Sequence, residues 1–307
     1  MRPMCIASAL IFAPLIVCAQ QVSDDSFHLD NPRPAFSTGA GPRVCVDQAH
    51  YNFHTADGRY RPFAELLRGD GYIVAGFGEP FSAETLADCA LLVIANPLAE
   101  ENEIDWTYPH PSAFSKDEIR EVMRWVREGG NLLLFADHAP IAGAARDLGA
   151  VLGLMMIDAY VDGGPGPDEF RTADGTLQSH PILDGRAGAE TVETVMTFTG
   201  QAVQITEGWE PLLIFGSEAK AMISLPQSFQ EESRADWPKF SVGGWVHGAV
   251  REWDAGRLVF LGEAAMCSAQ VSGPNRTPMG MNDPGASGNA QFCLNTVRWL
   301  TGVLDPR

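Results

Sequence analysis

The stretch Gly129-Gly130-Asn131-Leu132-Leu133-Leu134-Phe135-Ala136-Asp137-His138 decides the fold that this sequence can adopt. Its unbroken apolar run is typical of a strand that is buried on both faces of a parallel sheet. Upstream, Ser115 and Glu118 have the spacing of a capping box, and apolar residues recur at helical spacing from Ile119 to Val126. The two glycines end that predicted helix, so the segment is a helix, a tight turn and a buried strand.

The same alternation begins at Arg43 and continues through the first half of the chain. We predict strands at 44–46, 72–77 and 91–95, and helices at 60–68, 82–89 and 144–154. This order predicts an α/β fold with a flavodoxin-like, mostly parallel sheet and helices on both faces. In the C-terminal half, Asp254-Ala255-Gly256 lies between two strand-like runs and predicts an antiparallel hairpin.

The first 19 residues have the pattern of a signal peptide. Arg2 precedes an apolar run from Ile6 to Val17, which is shorter than the roughly 20 residues that span a bilayer. Bulky Val17 disfavours lipidation of Cys18, so we expect cleavage after Ala19. The sequence therefore predicts a periplasmic or secreted protein with no integral membrane segment in the mature chain. Residues 20–42 form a predicted linker or extended arm, and residues 43–307 form the main domain.

The charge balance argues against several classes of partner. The chain has 39 acidic and 21 basic residues, a formal net charge of −18. Such a protein repels polyanions, so nucleic acid and anionic membrane surfaces are excluded as expected partners.

Four cysteines remain after the predicted cleavage: Cys45, Cys89, Cys267 and Cys293. An exported protein can form disulfides, but four cysteines allow three pairings and the sequence selects none of them. Buried, unpaired thiols are an equal alternative, because all four lie in apolar surroundings.

Ionisable residues follow three of the predicted strands. The carboxyl ends of parallel strands meet at one edge of a sheet, where ligands of such folds bind. We therefore predict a functional site at that edge and name as candidate catalytic residues Asp47, His50, Asp137, His138 and Glu263. Each aspartate could instead only cap the turn that follows it.

Further polar residues are candidates for contact with a substrate. These are Asn52, His54, His180, Gln270 and Asn282. The Gly- and Pro-rich segment 268–288, which contains the last two, could act as a lid.

Two kinds of chemistry suit the candidate catalytic residues. Imidazole and carboxylate groups could bind a divalent metal that activates water, although no signature such as HExxH is present. Alternatively, His50 or His138 could be a general base oriented by an aspartate, with Glu263 as the acid. The identity of any metal stays open.

The chain resembles the class I glutamine amidotransferase-like superfamily, which includes the ThuA-like proteins. The resemblance lies in the element order over residues 43–300, in the segment 129–136, in His180-Pro181-Ile182 and in Gly262-Glu263 before a final helix. Amidotransferases carry a cysteine nucleophile in the turn after the fourth strand. Here that turn reads Ala136-Asp137-His138-Ala139-Pro140, so glutamine hydrolysis through a thioester is not expected.

Some relatives in the superfamily are associated with carbohydrate breakdown, and the resemblance therefore implies a carbohydrate-like small molecule as ligand. We expect a hydrolase or lyase, with a non-catalytic ligand- or partner-binding domain as the alternative. If Asp47 and Asp137 were only caps, Asp→Asn substitutions would lower stability by about 1 kcal/mol and change nothing else.

Overall fold

The structure is a computed structural model that describes residues 21–29, 31, 33–162, 168–223 and 237–306. The helices are α1 (Arg61–Gly69), α2 (Lys116–Arg127), α3 (Ile141–Leu152), α4 (Pro181–Asp184) and α5 (Asn289–Leu300). The strands are β1 (Val22–Ser23), β2 (Arg43–Asp47), β3 (Ile73–Phe77), β4 (Leu91–Ala95), β5 (Asn131–Phe135), β6 (Leu154–Met156), β7 (Tyr160–Asp162), β8 (Asp168–Arg171), β9 (Thr194–Thr197), β10 (Val203–Ile205), β11 (Glu210–Ile214), β12 (Lys220–Met222), β13 (Lys239–Ser241), β14 (Val246–Trp253), β15 (Gly256–Leu261), β16 (Ala269–Ser272) and β17 (Thr277–Gly280). The predicted signal peptide lies outside the described residues.

The central sheet is parallel at its core. Strands β3, β2, β4, β5 and β15 lie side by side in that order, and each neighbouring pair is parallel. Numbered by chain order among these five, this is the 2-1-3-4-5 order of flavodoxin-like sheets. The prediction of a mixed α/β fold with a mostly parallel central sheet is confirmed.

Antiparallel strands extend the sheet beyond β15. Strand β14 pairs with β15 as the predicted hairpin, in the register Trp253 opposite Gly256, and β10 and β6 continue beyond it while β11 also pairs with β14. The other strands form small sheets: β1 with β16 and β17, β7 with β12 and β13, and β8 with β9.

Alternating side chains of β4 divide the core in two. Leu91 and Val93 belong to one hydrophobic cluster and Leu92 and Ile94 to another, because successive side chains of a strand point to opposite faces. Helices α1 and α5 contribute to the first cluster, and α2 and α3 to the second. Few helices are described for a sheet of nine strands, so the predicted covering of both faces of the sheet by helices stays a prediction.

Helix α2 has the predicted capping box, with the Ser115 hydroxyl accepting from the Glu118 amide. After the helix, Gly129 adopts a left-handed φ of 114°. A Cβ on Gly130 would lie 2.2 Å from the Trp125 ring, so only glycine lets the chain turn back so closely. By contrast, the helix predicted at 82–89 is wrong: Ser82 and Thr85 hydrogen-bond to each other and close turns instead.

All four cysteines of the described chain are paired, Cys45 with Cys89 and Cys267 with Cys293. The first bridge ties β2 to the turns before β4, and the second ties the segment after β15 to α5. The open question of pairing is thereby settled in favour of disulfides.

The arm before β2 packs on the domain where it is described. Its strand β1 pairs with β16, and Ala35 donates its amide to Asp70, which forms a buried ion pair with Arg298 of α5. No described helix is long and apolar enough to cross a membrane.

Replacement of Cys45 and Cys89 by serine should lower the free energy of unfolding by about 3 kcal/mol, because the bridge restricts a long loop in the unfolded chain. Urea denaturation of the double variant and the unsubstituted protein measures this, with the second disulfide unchanged in both. Four titratable thiols in the unfolded, unreduced mature protein would contradict the assignment.

Candidate functional site

A carboxylate–imidazole–carboxylate bridge joins the end of β2 to the start of α2. His50 Nδ1 lies 2.9 Å from each carboxylate oxygen of Asp47, and His50 Nε2 lies 3.0 Å from Oε1 of Glu118. The imidazole is buried between the rings of Phe81 and Phe114. Both ring nitrogens are engaged by carboxylates, so this geometry suits a positioning role for His50 better than a general base.

Opposing effects act on the pKa of His50. Burial lowers it, but the hydrogen bond and charge of Asp47, followed by those of Glu118, outweigh burial and raise the pKa above 6.5. For Glu118, burial raises the pKa, while hydrogen bonds from Ser115 and His50 lower it overall. The bridge is therefore stabilised as a charged imidazolium between two carboxylates.

The bridge holds the loop 48–54 against the segment after β4. Leu98 donates its amide to the His50 carbonyl (3.0 Å), and Phe53 donates its amide to the Asn96 carbonyl (2.8 Å). Asn96 has a left-handed φ of 52° and is buried. Sequence analysis missed Asn96, although an asparagine directly after a buried strand is a signal for this conformation.

Asp137 follows β5 and is held by donors from several segments. Its Oδ1 accepts from the His138 amide at 2.9 Å and from the Thr199 hydroxyl at 3.3 Å, and Oδ2 faces the Asn96 amide group at 3.5 Å. Asn96 also accepts from the Asp137 amide. The Asp137 side chain is 9% exposed, whereas Asp47 and Glu263 are fully buried, so of these three acidic side chains Asp137 is the one that solvent reaches.

His138 lies at the same strand end within aromatic surroundings. Its Nδ1 is 2.7 Å from the Ala139 carbonyl, which requires a proton on Nδ1. The ring stacks on Tyr160 at 3.9 Å between centroids, and the Trp106 ring lies 6.2 Å away. Its Nε2 is 3.8 Å from Asp137 Oδ1, so the two predicted catalytic groups are neighbours.

Glu263 follows β15 and is fully buried. Its Oε2 accepts from the Met266 amide at 2.8 Å, and the pKa of this carboxyl is raised well above 4.5 by burial and by the charge of Asp137. Tyr60, whose hydroxyl donates to the Ala264 carbonyl, packs nearby, and burial also raises its pKa. Glu263 lies below the surface that a substrate could reach, so direct contact with substrate, as the sequence predicted, is not favoured.

The four strand-end residues Asp47, Asn96, Asp137 and Glu263 are called the rim below. Three of them were predicted from the sequence, and the parallel sheet brings their strands to one edge. Their assignment to catalysis stays a prediction. No three His, Cys, Asp or Glu side chains of the described residues form a metal-binding group.

Four of the predicted substrate contacts lie beside the rim but serve the packing of loops. Asn52 donates to Asp47, His54 Nε2 lies 3.4 Å from the Gln270 amide nitrogen, and Asn282 donates to the Gln270 carbonyl. Burial lowers the pKa of His54 to about 3, so this ring is neutral. Contact of these groups with a substrate stays a prediction.

His180 does not join them. Its Nδ1 accepts from the Ile182 amide and caps α4, and its ring packs on Trp299. Burial lowers its pKa to about 4, with a further contribution from the charge of Arg257. Arg257 stands at the amino end of β15, whereas Glu263 follows the carboxyl end. Arg257 also donates to the carbonyl of Trp299, on which His180 packs, so His180 lies toward the amino end of β15, and its contact with a substrate stays a prediction.

A cleft of about 800 Å³ lies between residues 21–26 of the arm and residues 52–61. Phe53 lines it, and the Phe53 ring is 5.7 Å from Trp106, which in turn faces His138. A chain of two aromatic contacts thus links the lining of the cleft to His138.

No protein-family model and no curated protein matches this chain. Solved structures do match. The N-terminal domain of mmIFT52 is 14% identical to this chain, with a TM-score of 0.57, and the match covers 84% of this chain and 97% of that domain. A ThuA-like protein from Bacteroides uniformis is 12% identical, with a TM-score of 0.45, and the match covers 89% of this chain and 94% of that protein. A ThuA-like protein from Parabacteroides merdae is also 12% identical, with a TM-score of 0.44, and the match covers 87% of this chain and 93% of that protein.

These likenesses concern the fold. At 14% identity, the mmIFT52 domain and this chain share an architecture, and function does not follow from that. ThuA-like proteins, members of the superfamily that the sequence resembles, are among the structural neighbours.

Replacement of His50 by glutamine should lower the free energy of unfolding by about 3 kcal/mol at pH 6, since Asp47 and Glu118 lose their shared cation. Because the pKa of His50 is raised on folding, its contribution is complete below pH 6.5 and is lost as the pH rises through the folded-state pKa. In urea denaturation from pH 6 to 9, the difference in the free energy of unfolding between the variant and the unsubstituted protein should therefore become smaller as the pH rises.

The control is His28→Gln, which changes an exposed histidine. If the loss of unfolding free energy in His50→Gln stays constant over this pH range, or equals the loss in the control, the bridge carries no charge.

Proposed function

We propose that this protein is an exported hydrolase or lyase that acts on a neutral, carbohydrate-like small molecule, with Asp137 as its base and His138 as the partner that carries a proton. The observation that carries the proposal is the geometry of Asp137. It is a nearly buried carboxylate that keeps 9% exposure, has donors on both oxygens and stands next to an imidazole of defined tautomer.

The arrangement supports a division of roles. Asp137 would take a proton from a substrate hydroxyl or from water, since its lone pairs are oriented by Thr199, Asn96 and the His138 amide. His138, with Nδ1 held by the Ala139 carbonyl, would accept that proton from Asp137 on its Nε2, 3.8 Å away, and pass it to the leaving oxygen. Asp47 and His50 would keep the loop 48–54 in place and would not touch the substrate.

The charge distribution favours a neutral substrate. Within the described residues, the ion-pair partner of Asp137 is His138, and neither lysine nor arginine is paired with it. A net charge of −18 further disfavours anionic ligands.

Aromatic rings surround His138. Tyr160 stacks on it and Trp237 lies 5.5 Å from Tyr160, and both of these rings are buried and fix the imidazole in place. Trp106, which is partly exposed and lies 6.2 Å from His138, could pack against the apolar face of a sugar. The cleft lined by Phe53, whose ring contacts Trp106, offers room for the rest of a larger substrate.

Two features support export. The first 19 residues have the pattern of a signal peptide, and the described chain carries two disulfides, which persist in oxidising compartments.

Replacement of Asp137 by asparagine should lower kcat/KM about 10³-fold, because asparagine cannot accept the proton, and should leave the melting temperature nearly unchanged. The assay is a panel of neutral glycosides and lactones, with uronic acids as anionic comparators, monitored for product by NMR. Asp147→Asn, at an exposed position of α3, is the matched control and should retain full activity.

The alternative of a binding domain predicts another outcome. Ligands of the panel would then bind without turnover, and Asp137→Asn would weaken binding in a graded way. That result would overturn the enzymatic proposal.

A further inference from the structure

A cluster of buried polar side chains, called the chamber below, lies next to Asp137. Strands β5 and β15 are parallel neighbours with Phe135 opposite Leu261, so Asp137 and Glu263 stand at matching positions two residues beyond that pair. The chamber is formed by Glu263, His247 and Gln201, and each of these side chains is fully buried. Each also has one atom without a hydrogen-bond partner among the described residues: Glu263 Oε1, His247 Nε2 and Gln201 Oε1. Buried polar atoms without partners are costly, so a set of three in one place calls for an explanation.

Glycines allow these groups to approach each other. A Cβ on Gly200 would lie 2.6 Å from His247 Cε1 and 3.0 Å from Glu263 Cβ, so the imidazole and the glutamate stem flank the same point. A Cβ on Gly262 would lie 2.6 Å from the Gln201 carbonyl and 2.8 Å from His247 Nδ1. The chamber is therefore a single contiguous unit.

The unpartnered atoms of His247 and Gln201 are both acceptors. His247 Nδ1 lies 2.8 Å from the Gln201 carbonyl and must donate to it, which leaves a lone pair on Nε2. Burial lowers the pKa of His247 to about 4, so the ring stays neutral. Gln201 uses its amide nitrogen to donate to the Ala136 carbonyl, which leaves its side-chain oxygen as the acceptor.

Glu263 has one oxygen with a donor, because Oε2 accepts from the Met266 amide, while Oε1 has none among the described residues. Burial raises the pKa of Glu263, and the charges of Asp137 and Asp168 raise it further. Tyr60 and neutral His247, which also lie beside it, supply no cation. An ionised Glu263 would leave Oε1 as a buried, charged acceptor without a donor and would place a second charge beside Asp137. A protonated carboxyl avoids both costs.

We propose that Asp137 and Glu263 form a coupled acid pair that holds a single proton, which stays on buried Glu263 while Asp137 is ionised at the rim. Glu263 is then a positioning residue: it concentrates the negative charge of the pair on the member that a substrate can reach. When Asp137 gains a proton, the repulsion ends and Glu263 holds its own proton less tightly. The pairing rests on the proposed function only in assuming that Asp137 changes its charge during turnover.

The test is infrared spectroscopy of the mature protein and needs no substrate. At pH 7, the spectrum of the unsubstituted protein minus that of Glu263→Gln should contain the carbonyl stretching band of a protonated carboxyl. Glu207→Gln, which changes an exposed glutamate, is the matched control and should lack this band. A carboxylate band in the Glu263 difference spectrum would overturn the proposal.

A second measurement does not require Glu263→Gln to fold. In Asp137→Asn, the band of Glu263 should titrate about one pH unit or more lower than in the unsubstituted protein, because the neighbouring charge is gone. An unchanged midpoint would show that the two groups are independent. If the pair is confirmed while no member of the substrate panel is turned over, the proposed function fails and the coupled pair stands.

Discussion

The ionic bridge from Asp47 through His50 to Glu118 is the interaction on which the rest of the rim depends. It joins a strand end to the first turn of α2, and it holds the loop 48–54 against the segment after β4. That segment includes Asn96, which contacts both the amide and the carboxyl of Asp137. The buried bridge thus fixes loop 48–54, this loop fixes Asn96 through backbone hydrogen bonds, and Asn96 in turn orients Asp137.

The three acidic residues of the rim are buried at one edge of the sheet, and each is stabilised differently. Asp47 faces His50, Asp137 accepts from amides and a hydroxyl, and Glu263, whose pKa is raised by burial and by the charge of Asp137, is the member that we propose to be protonated. These differences follow from burial, because a carboxyl removed from water needs a neighbouring cation, several hydrogen-bond donors or its own proton. Only the arrangement of Asp137 leaves a carboxylate that solvent reaches, which is why the proposed chemistry is assigned to Asp137.

The sequence predicted what depends on local pattern and sheet topology. The capping box, the buried strand β5 and the hairpin at Asp254-Ala255-Gly256 are local signals, and parallel pairing then brings Asp47, Asp137 and Glu263 to one edge. Contacts between distant segments were not predictable. Glu118 was fully explained as a capping residue, and nothing local shows that its other oxygen meets His50, 68 positions away. The cap that His180 forms on α4 was not predictable either, because a loop histidine before proline looks the same whether it binds a ligand or caps a helix.

The most direct test of this account is a ¹⁵N NMR titration of the histidine rings, assigned by His50→Gln. The account predicts that His50 titrates above pH 6.5, with both ring nitrogens protonated below its midpoint, as expected for an imidazolium between two carboxylates. A midpoint at or below pH 6.5, or a neutral ring with one unprotonated nitrogen at pH 6, would contradict the charged bridge. It would also contradict the claim that this bridge positions the residues of the rim.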